Sequence, residues 1–277
     1  MSSDSKIAKA ASLLLHSPPG EVDDVFNDIR GIVNDDDALH EHIEPVLAES
    51  NMQQFLVTTV PDSESKVLIT PYNRVGDTHA FVDPNTRTQF TFDHLHRTAT
   101  EAVEWTASDE ALEHEPLRSS LQQELATYVE AHFTSGSSSV FYHEGALVCC
   151  IVSNRFSPTN FWNGSWRAVW SFDPQTGQLN GSAKVKVHYF EDGNVQLDTQ
   201  TDFTADVSLG DQVAARVVKL IGEFETEFQQ SIGDGYRQLA EKTFKGLRRT
   251  LPVTRNKIDW DKIALHKIGG ELANTDA

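Results

Sequence analysis

The chain reads as an α+β protein, and three observations predict it. Apolar residues recur at helical spacing over the first sixty residues, strand-type composition with short connections fills the middle, and helical spacing returns from Ser208. These changes of period divide the chain into a helical unit over 1–60, an antiparallel sheet region over 61–207, a long helix over 208–250 and an amphipathic segment over 251–277. At 277 residues it is long enough to bury a sizeable core, as one large domain or two modest ones.

In the first unit Ile7, Ala10 and Leu14 share a helical face before Ser17-Pro18-Pro19-Gly20 breaks the chain. Val22, Val25, Ile29 and Val33 restart the period. A third helix follows Asn34-Asp35-Asp36-Asp37 with Leu39, Ile43 and Leu47 four apart, and Pro45 is expected to kink it or to set its first turn elsewhere. The aspartate run lacks the glycine and distal glutamate of a calcium loop, so it reads as a solvated cap or helix link.

The middle region opens with KVLITPY (66–72), HAFVDP (79–84) and TRTQFTF (86–92), rich in β-branched and aromatic residues and punctuated by turn residues. A helical stretch around Ser119–Val129 intervenes. SVFYHEGALVCCIVSN (139–154) then reads as a hairpin turning at His143-Glu144-Gly145, and SWRAVWSF (165–172), SAKVKVHYF (182–190) and NVQLDTQTDF (194–203) continue the strands. Connections this short favour antiparallel pairing. From Ser208, Val213, Val217, Leu220, Phe224, Phe228, Ile232, Tyr236, Leu239 and Leu247 fall on one slowly drifting stripe. Ser208 and Asp211 suit its start and Pro252 forbids its continuation. Unbroken, such a helix runs roughly 40 residues, about 60 Å, long enough to cross a sheet. Gly222, Gly233 and Gly235 weaken it, so packing must compensate or the helix bends there.

Charge separates the C-terminal end from the rest. Between Lys242 and Lys267 stand eight Lys or Arg against Asp259 and Asp261, a net +6, while the whole chain carries −18; the remainder therefore carries −24. A general nucleic-acid binder would put positive charge on its main body, so that class is excluded. The dipole of the long helix favours Lys245, Arg248 and Arg249 near its end, but it does not account for Arg255 and Lys257 beyond the proline. Ile258, Leu265, Ile268 and Leu272 then share a helical face flanked by Trp260 and Ile263. So short an amphipathic helix is marginal alone and needs its own body or another protein to cover its apolar face. Gly269-Gly270 and the ANTDA ending predict disorder in the last few residues.

No phosphate-binding glycine loop, HExxH or GxSxG is present, and no cofactor or metal is called for. His40 and His42, like His94 and His96, are spaced by two in or near helical stretches and read as surface histidines. Phe156, Phe161, Trp162, Trp166, Trp170 and Phe172 are accompanied only by Arg155 and Arg167, so the cluster reads as core or subunit interface rather than a base-stacking groove. Cys149 and Cys150, adjacent in an apolar run, read as inert buried thiols of a reducing compartment. Neither an export signal nor a membrane span is expected.

Two motifs carry a resemblance. VHYFEDGNV (187–195) is similar to the strand-turn-strand signature of the alpha subunits of the heterodimeric F-actin capping protein, and FKGLRRTLP (244–252) to that family's helix-end signature, with Gly246 where the family more often has Ala or Glu. LLLHSPPGEVDDVFNDIR (13–30), NMQQF (51–55), KVLIT (66–70), FDHL (92–95), NFWNGSWR (160–167) and LPVTRNKIDWDKI (251–263) extend it; Thr98–Ser120 carries none. The resemblance implies half of an obligate heterodimer with a capping protein beta subunit. Its helices would form a stalk beside a central antiparallel sheet shared with that partner, its long helix would lie across the sheet, and the residues after Pro252 would form a mobile arm. It implies calcium-independent capping of actin filament barbed ends, without severing and without catalysis, in actin-rich cytoplasmic structures such as cortical patches. Lys245, Arg249, Arg255 and Lys257 match the family's basic patch, with Arg248 and Lys262 as helpers. The apolar face led by Trp260, Ile263, Leu265 and Ile268 would insert into a cleft on actin. Phosphoinositides and capping-protein regulators are further implied partners. The alternative is a binding module whose basic segment targets anionic lipid or another protein.

Overall fold

The structure, a computed structural model, describes residues 3–191 and 194–243. Two compact units divide at 225/226.

In the first unit, helix α1 (Ser3–Ser12) runs into a 3-10 turn (Leu13–His16), and the Pro-Pro-Gly break separates it from α2 (Val22–Val33). Asn34 closes α2 in the left-handed conformation, φ 51°, with its N–H on the Arg30 carbonyl. Asp35 caps α3 (Asp36–Gln53) by accepting from the Ala38 N–H at 3.1 Å, which is the cap-and-link role expected of the aspartate run. Pro45 lies inside α3, which continues through it. Arg30 grips both carboxylate oxygens of Asp36 across the α2–α3 junction, and that hydrogen bond holds the Asp36 carboxyl below its ordinary pKa. Ala11, Leu14, Ile29, Leu39, Ile43 and Leu47 form this region's own core.

Strand β1 (Leu56–Thr59) follows α3 directly and pairs with β2 (Lys66–Ile69). Strands β3 (Ala80–Asp83), β4 (Thr88–Asp93) and β5 (Thr98–Glu104) make a three-stranded antiparallel sheet. Helix α4 (Asp109–His132) leads to the main sheet, whose order β10-β9-β8-β7-β6 makes a continuous antiparallel meander. Its strands are β6 (Gly136–His143), β7 (Ala146–Ser157), β8 (Trp162–Phe172), β9 (Gln178–Tyr189) and β10 (Val195–Asp206). The β6–β7 turn falls at Glu144 and Gly145, φ 49° and 84°, the left-handed pair a two-residue hairpin loop requires.

The two faces of this sheet have different partners. Phe141, Val148, Cys150 and Val152 pack with Phe55, Val60, Val67, Leu68, Ile69, Phe81, Phe90 and Phe92. On the opposite face a row of paired residues runs Cys149, Trp170, Gly181, Phe203 across β7 to β10. Both thiols are free and buried, and burial pushes Cys149 up to about 12 and Cys150 well above the ordinary thiol range, which keeps them protonated. The aromatic cluster is split: Trp170 and Phe172 are in the core, whereas Phe156 and Phe161 are exposed and Arg155 lies 5.5 Å over Trp162.

Three of the sequence motifs converge on Glu21, the residue preceding α2. Its Oε1 lies 2.6 Å from His188 Nδ1 and accepts from Asn163 Nδ2 at 3.1 Å. A carboxylate can only accept, so the imidazole carries its proton on Nδ1. Asp23 of α2 also pairs with Arg97 at 2.6 Å. These contacts fasten the N-terminal helices to the sheet regions.

One histidine departs from expectation. His40 and His96 are exposed, but His94 is 2 % exposed, packed edge-on to Phe92 at 5.1 Å. Asn51, 43 residues earlier, donates to its backbone carbonyl at 2.9 Å and lies 3.3 Å from its Nδ1, so a distant α3 side chain accounts for its burial. Burial drops its pKa from 6.5 to about 4, aided by His79 and Arg74. The folded state therefore favours neutral imidazole. Stability linked to His94 is complete above pH 6.5 and is lost as pH falls toward 4, by about 3 kcal/mol at the acid limit. Urea midpoints measured from pH 7 to 4 should drop, and the drop should shrink in His94→Gln.

Candidate partner-binding surface

The outer edge of β10 is built by its register with β9, which is unbroken from Val195↔Tyr189 to Asp206↔Gln178. Just beyond, the Val207 N–H bonds the Gly177 carbonyl at 2.7 Å, so odd-numbered β10 residues turn their backbone groups toward β9. The even ones, Gln196, Asp198, Gln200, Asp202 and Thr204, turn theirs outward. Their side chains are exposed, while Leu197, Thr199, Thr201, Phe203 and Ala205 are half-buried. Asp198 is held by Lys184 at 3.3 Å and Lys186 at 3.7 Å. Twelve residues of strand end the sheet there, well over an ordinary strand length, and no strand among the described residues pairs with that side.

Helix α5 (Val213–Gln238) packs on the same sheet by the part that belongs to the first unit, up to Glu225. It begins after Ser208 rather than at it, because the Arg216 guanidinium donates to the Ser208 and Asp211 carbonyls and fixes them in the preceding loop. Its 26 residues span about 39 Å and pass through Gly222, Gly233 and Gly235 without interruption. Gly222 is needed for close approach: a Cβ there would stand 3.0 Å from the Tyr128 ring. Within the first unit the buried stripe is Val213, Ala214, Val217, Val218, Ile221 and Glu225, with Phe224 half-buried beside it.

Two features seat that part of α5. Phe224 stacks on Phe203 at 4.9 Å and on Trp170 at 6.0 Å, and Trp170 stacks on Phe203 at 5.6 Å, a three-ring set joining helix, β8 and β10. Gly181 makes room for it, since a Cβ there would come within 2.0 Å of the Trp170 ring. Next to the rings, Glu225 is 0 % exposed and accepts from the Tyr128 hydroxyl of α4 at 2.8 Å. Burial raises its pKa from 4.5 to about 7, against the opposing pull of Tyr128, of the Trp166 and Trp170 indoles, and of His132. A stripe defined by apolar residues alone passes over Glu225; the signal was a charge at a core position between Ile221 and Phe228.

The second unit is described over 226–243 only, as the end of α5 and a π-type turn at Leu239–Thr243. Arg237 pairs with Asp234 at 3.2 Å. The predicted stripe is buried at Phe228 and half-buried at Ile232 but exposed at its end, Tyr236 by 50 % and Leu239 by 44 %. Lys245, Arg249, Arg255 and Lys257, the helpers Arg248 and Lys262, and Trp260, Ile263, Leu265 and Ile268 all lie outside the described residues.

Among the described residues no group of His, Cys, Asp and Glu could hold a metal ion, and no helix is long and apolar enough to cross a membrane. The family model of the F-actin capping protein alpha subunit matches residues 10–271. The chain belongs to that family. The F-actin-capping protein subunit alpha of Gibberella zeae is 35 % identical over 273 residues, 98 % of each chain. That of Caenorhabditis elegans is 35 % identical over 276 residues, 96 % of this chain and 97 % of its own. In fold the chain is similar to the homodimeric actin capping protein alpha subunit of Plasmodium berghei, with a TM-score of 0.69 at 22 % identity over 86 % of this chain and 93 % of that one. F-actin capping protein alpha subunits thus share with this chain an α+β architecture of N-terminal helices, antiparallel sheet and C-terminal helix.

Proposed function

We propose that this chain is the alpha subunit of a heterodimer that caps the barbed ends of actin filaments in the cytoplasm, independently of calcium and without severing, and blocks both addition and loss of subunits. The observation that carries the reading is the outward backbone of β10. Edge pairing supplies main-chain hydrogen bonds in register, and half-buried side chains on the α5 side supply apolar contact. A beta subunit adding its own edge strand there would extend the sheet across both chains.

Contact with actin falls to the C-terminal segment. Lys245, Arg249, Arg255 and Lys257 meet acidic surface on the terminal protomers and steer the encounter. Trp260, Ile263, Leu265 and Ile268 bury apolar surface and slow departure. Anionic phosphoinositides compete for the same basic residues, and capping-protein regulators act on the assembled heterodimer in cortical, actin-rich structures. The family assignment and the charge contrast of +6 against −24 support this division between pairing edge and filament-facing segment.

Gln200→Pro tests the pairing edge. It removes an outward N–H without touching the ladder to β9, so the chain should fold but co-purify with its beta subunit at least about tenfold less than wild type. Gln200→Ala keeps the N–H and should pair normally. Equal recovery of the beta subunit with both variants would refute pairing through β10.

A further inference from the structure

The seat of α5 contains a carboxylate at a position where the helix pattern calls for an apolar side chain. Glu225 follows Ile221 by four residues on the buried stripe and is fully enclosed. Around it, α4 contributes the Tyr128 hydroxyl and the ring of His132, which stacks on Tyr128 at 4.3 Å. β8 contributes Trp166 and Trp170, and Phe203 of β10 stacks on Trp170. Across the sheet, Gly181 and Val185 of β9 pair with Trp170 and Trp166. On α5 itself Lys219 and Glu223 are exposed and paired with each other at 3.7 Å, and Glu227 is exposed to solvent. Among the described residues, then, the titratable groups facing Glu225 are Tyr128 and His132, and no lysine or arginine reaches it to neutralise an ionised carboxylate.

We propose that Glu225 is a proton-operated latch that seats α5 on the sheet: the neutral carboxyl holds the helix against Tyr128, Trp166 and Trp170, and ionisation weakens that hold. An isolated buried charge is disfavoured, and the hydrogen bond from the Tyr128 hydroxyl, with the Trp166 and Trp170 indoles nearby, offsets only part of that cost. The carboxyl is accordingly raised to about 7, inside the range that cellular pH spans. Stability contributed by the protonated form is complete below pH 4.5 and is lost as pH rises through 7, opposite in sign to the effect of His94. In sequence, α5 leads from this latch to the basic C-terminal segment.

The test uses the full chain co-purified with its partner subunit. Tryptophan fluorescence followed from pH 5.5 to 8.5 should show a transition centred near 7, because two of the five tryptophans adjoin the carboxyl. Glu225→Gln fills the same space and keeps an acceptor for Tyr128, and should lack the transition. Tyr128→Phe removes a donor that favours the ionised form, and should move the midpoint upward by about half a pH unit or more while leaving the carboxyl in place. It therefore tests the latch even where the glutamine variant fails to fold. Thermal unfolding should agree: wild type loses stability between pH 5 and 7 relative to Glu225→Gln. Identical pH profiles for wild type and Glu225→Gln, or an unmoved midpoint in Tyr128→Phe, would overturn the proposal.

Discussion

Trp170→Ala is expected to cost about 3–5 kcal/mol of folding stability, a large share of the 5–15 kcal/mol typical of a globular protein. The side chain is 0 % exposed and contributes to both ring contacts that tie β8 to β10 and to α5. Removing it leaves a cavity over Gly181, which has no side chain to fill the space, and withdraws an indole from the Glu225 pocket. Chemical denaturation should therefore show a large fall in the midpoint, together with loss of the near-ultraviolet signal of the stacked rings. A loss below about 1 kcal/mol would mean that the ring stack does not seat the helix.

The second large effect is kinetic. Reversing Lys245, Arg249 and Arg255 to Glu changes the charge of the C-terminal segment from +6 to zero by six units. Electrostatic steering changes association rates by roughly 10- to 1,000-fold, so barbed-end association should slow at least about tenfold at low salt. Its dependence on ionic strength should flatten. Heterodimer assembly should be unchanged, since these residues lie far along the sequence from β10. Capping kinetics indistinguishable from wild type would remove the basic patch from the account.

What could be read from the sequence depended on how local the cause was. The β6–β7 hairpin was legible because alternating apolar residues flank a turn marked by Glu144-Gly145. The three N-terminal helices were legible because a helical stripe and a Pro-Pro-Gly or Asp-rich break define each one. β1 directly after α3 was not anticipated, nor were β5 and the first turns of α4. TATEAVE in β5 is exposed or only half-buried throughout and so shows no apolar face, and the start of α4 is acidic with Pro116 inside it. His94 was misread as a surface residue because its burial depends on Asn51 of α3 and Phe81 of β3, both distant in sequence.

The site divided along the same line. The charge contrast that marks the C-terminal segment is a property of composition and was readable at once. The pairing edge was not, because which β10 residues face outward follows from a register with β9. Glu225 was missed because a reading that counts apolar residues cannot see a carboxylate standing in for one; only the meeting of α4, α5 and β8 reveals its pocket.

Elongation of actin from preformed seeds, with the chain and its beta subunit added as a purified heterodimer at increasing concentration, tests the central claim most directly. Dose-dependent arrest of barbed-end growth is expected at concentrations far below that of actin, with pointed-end growth and filament number unchanged. Undiminished barbed-end elongation in the presence of a folded, heterodimeric preparation would contradict it.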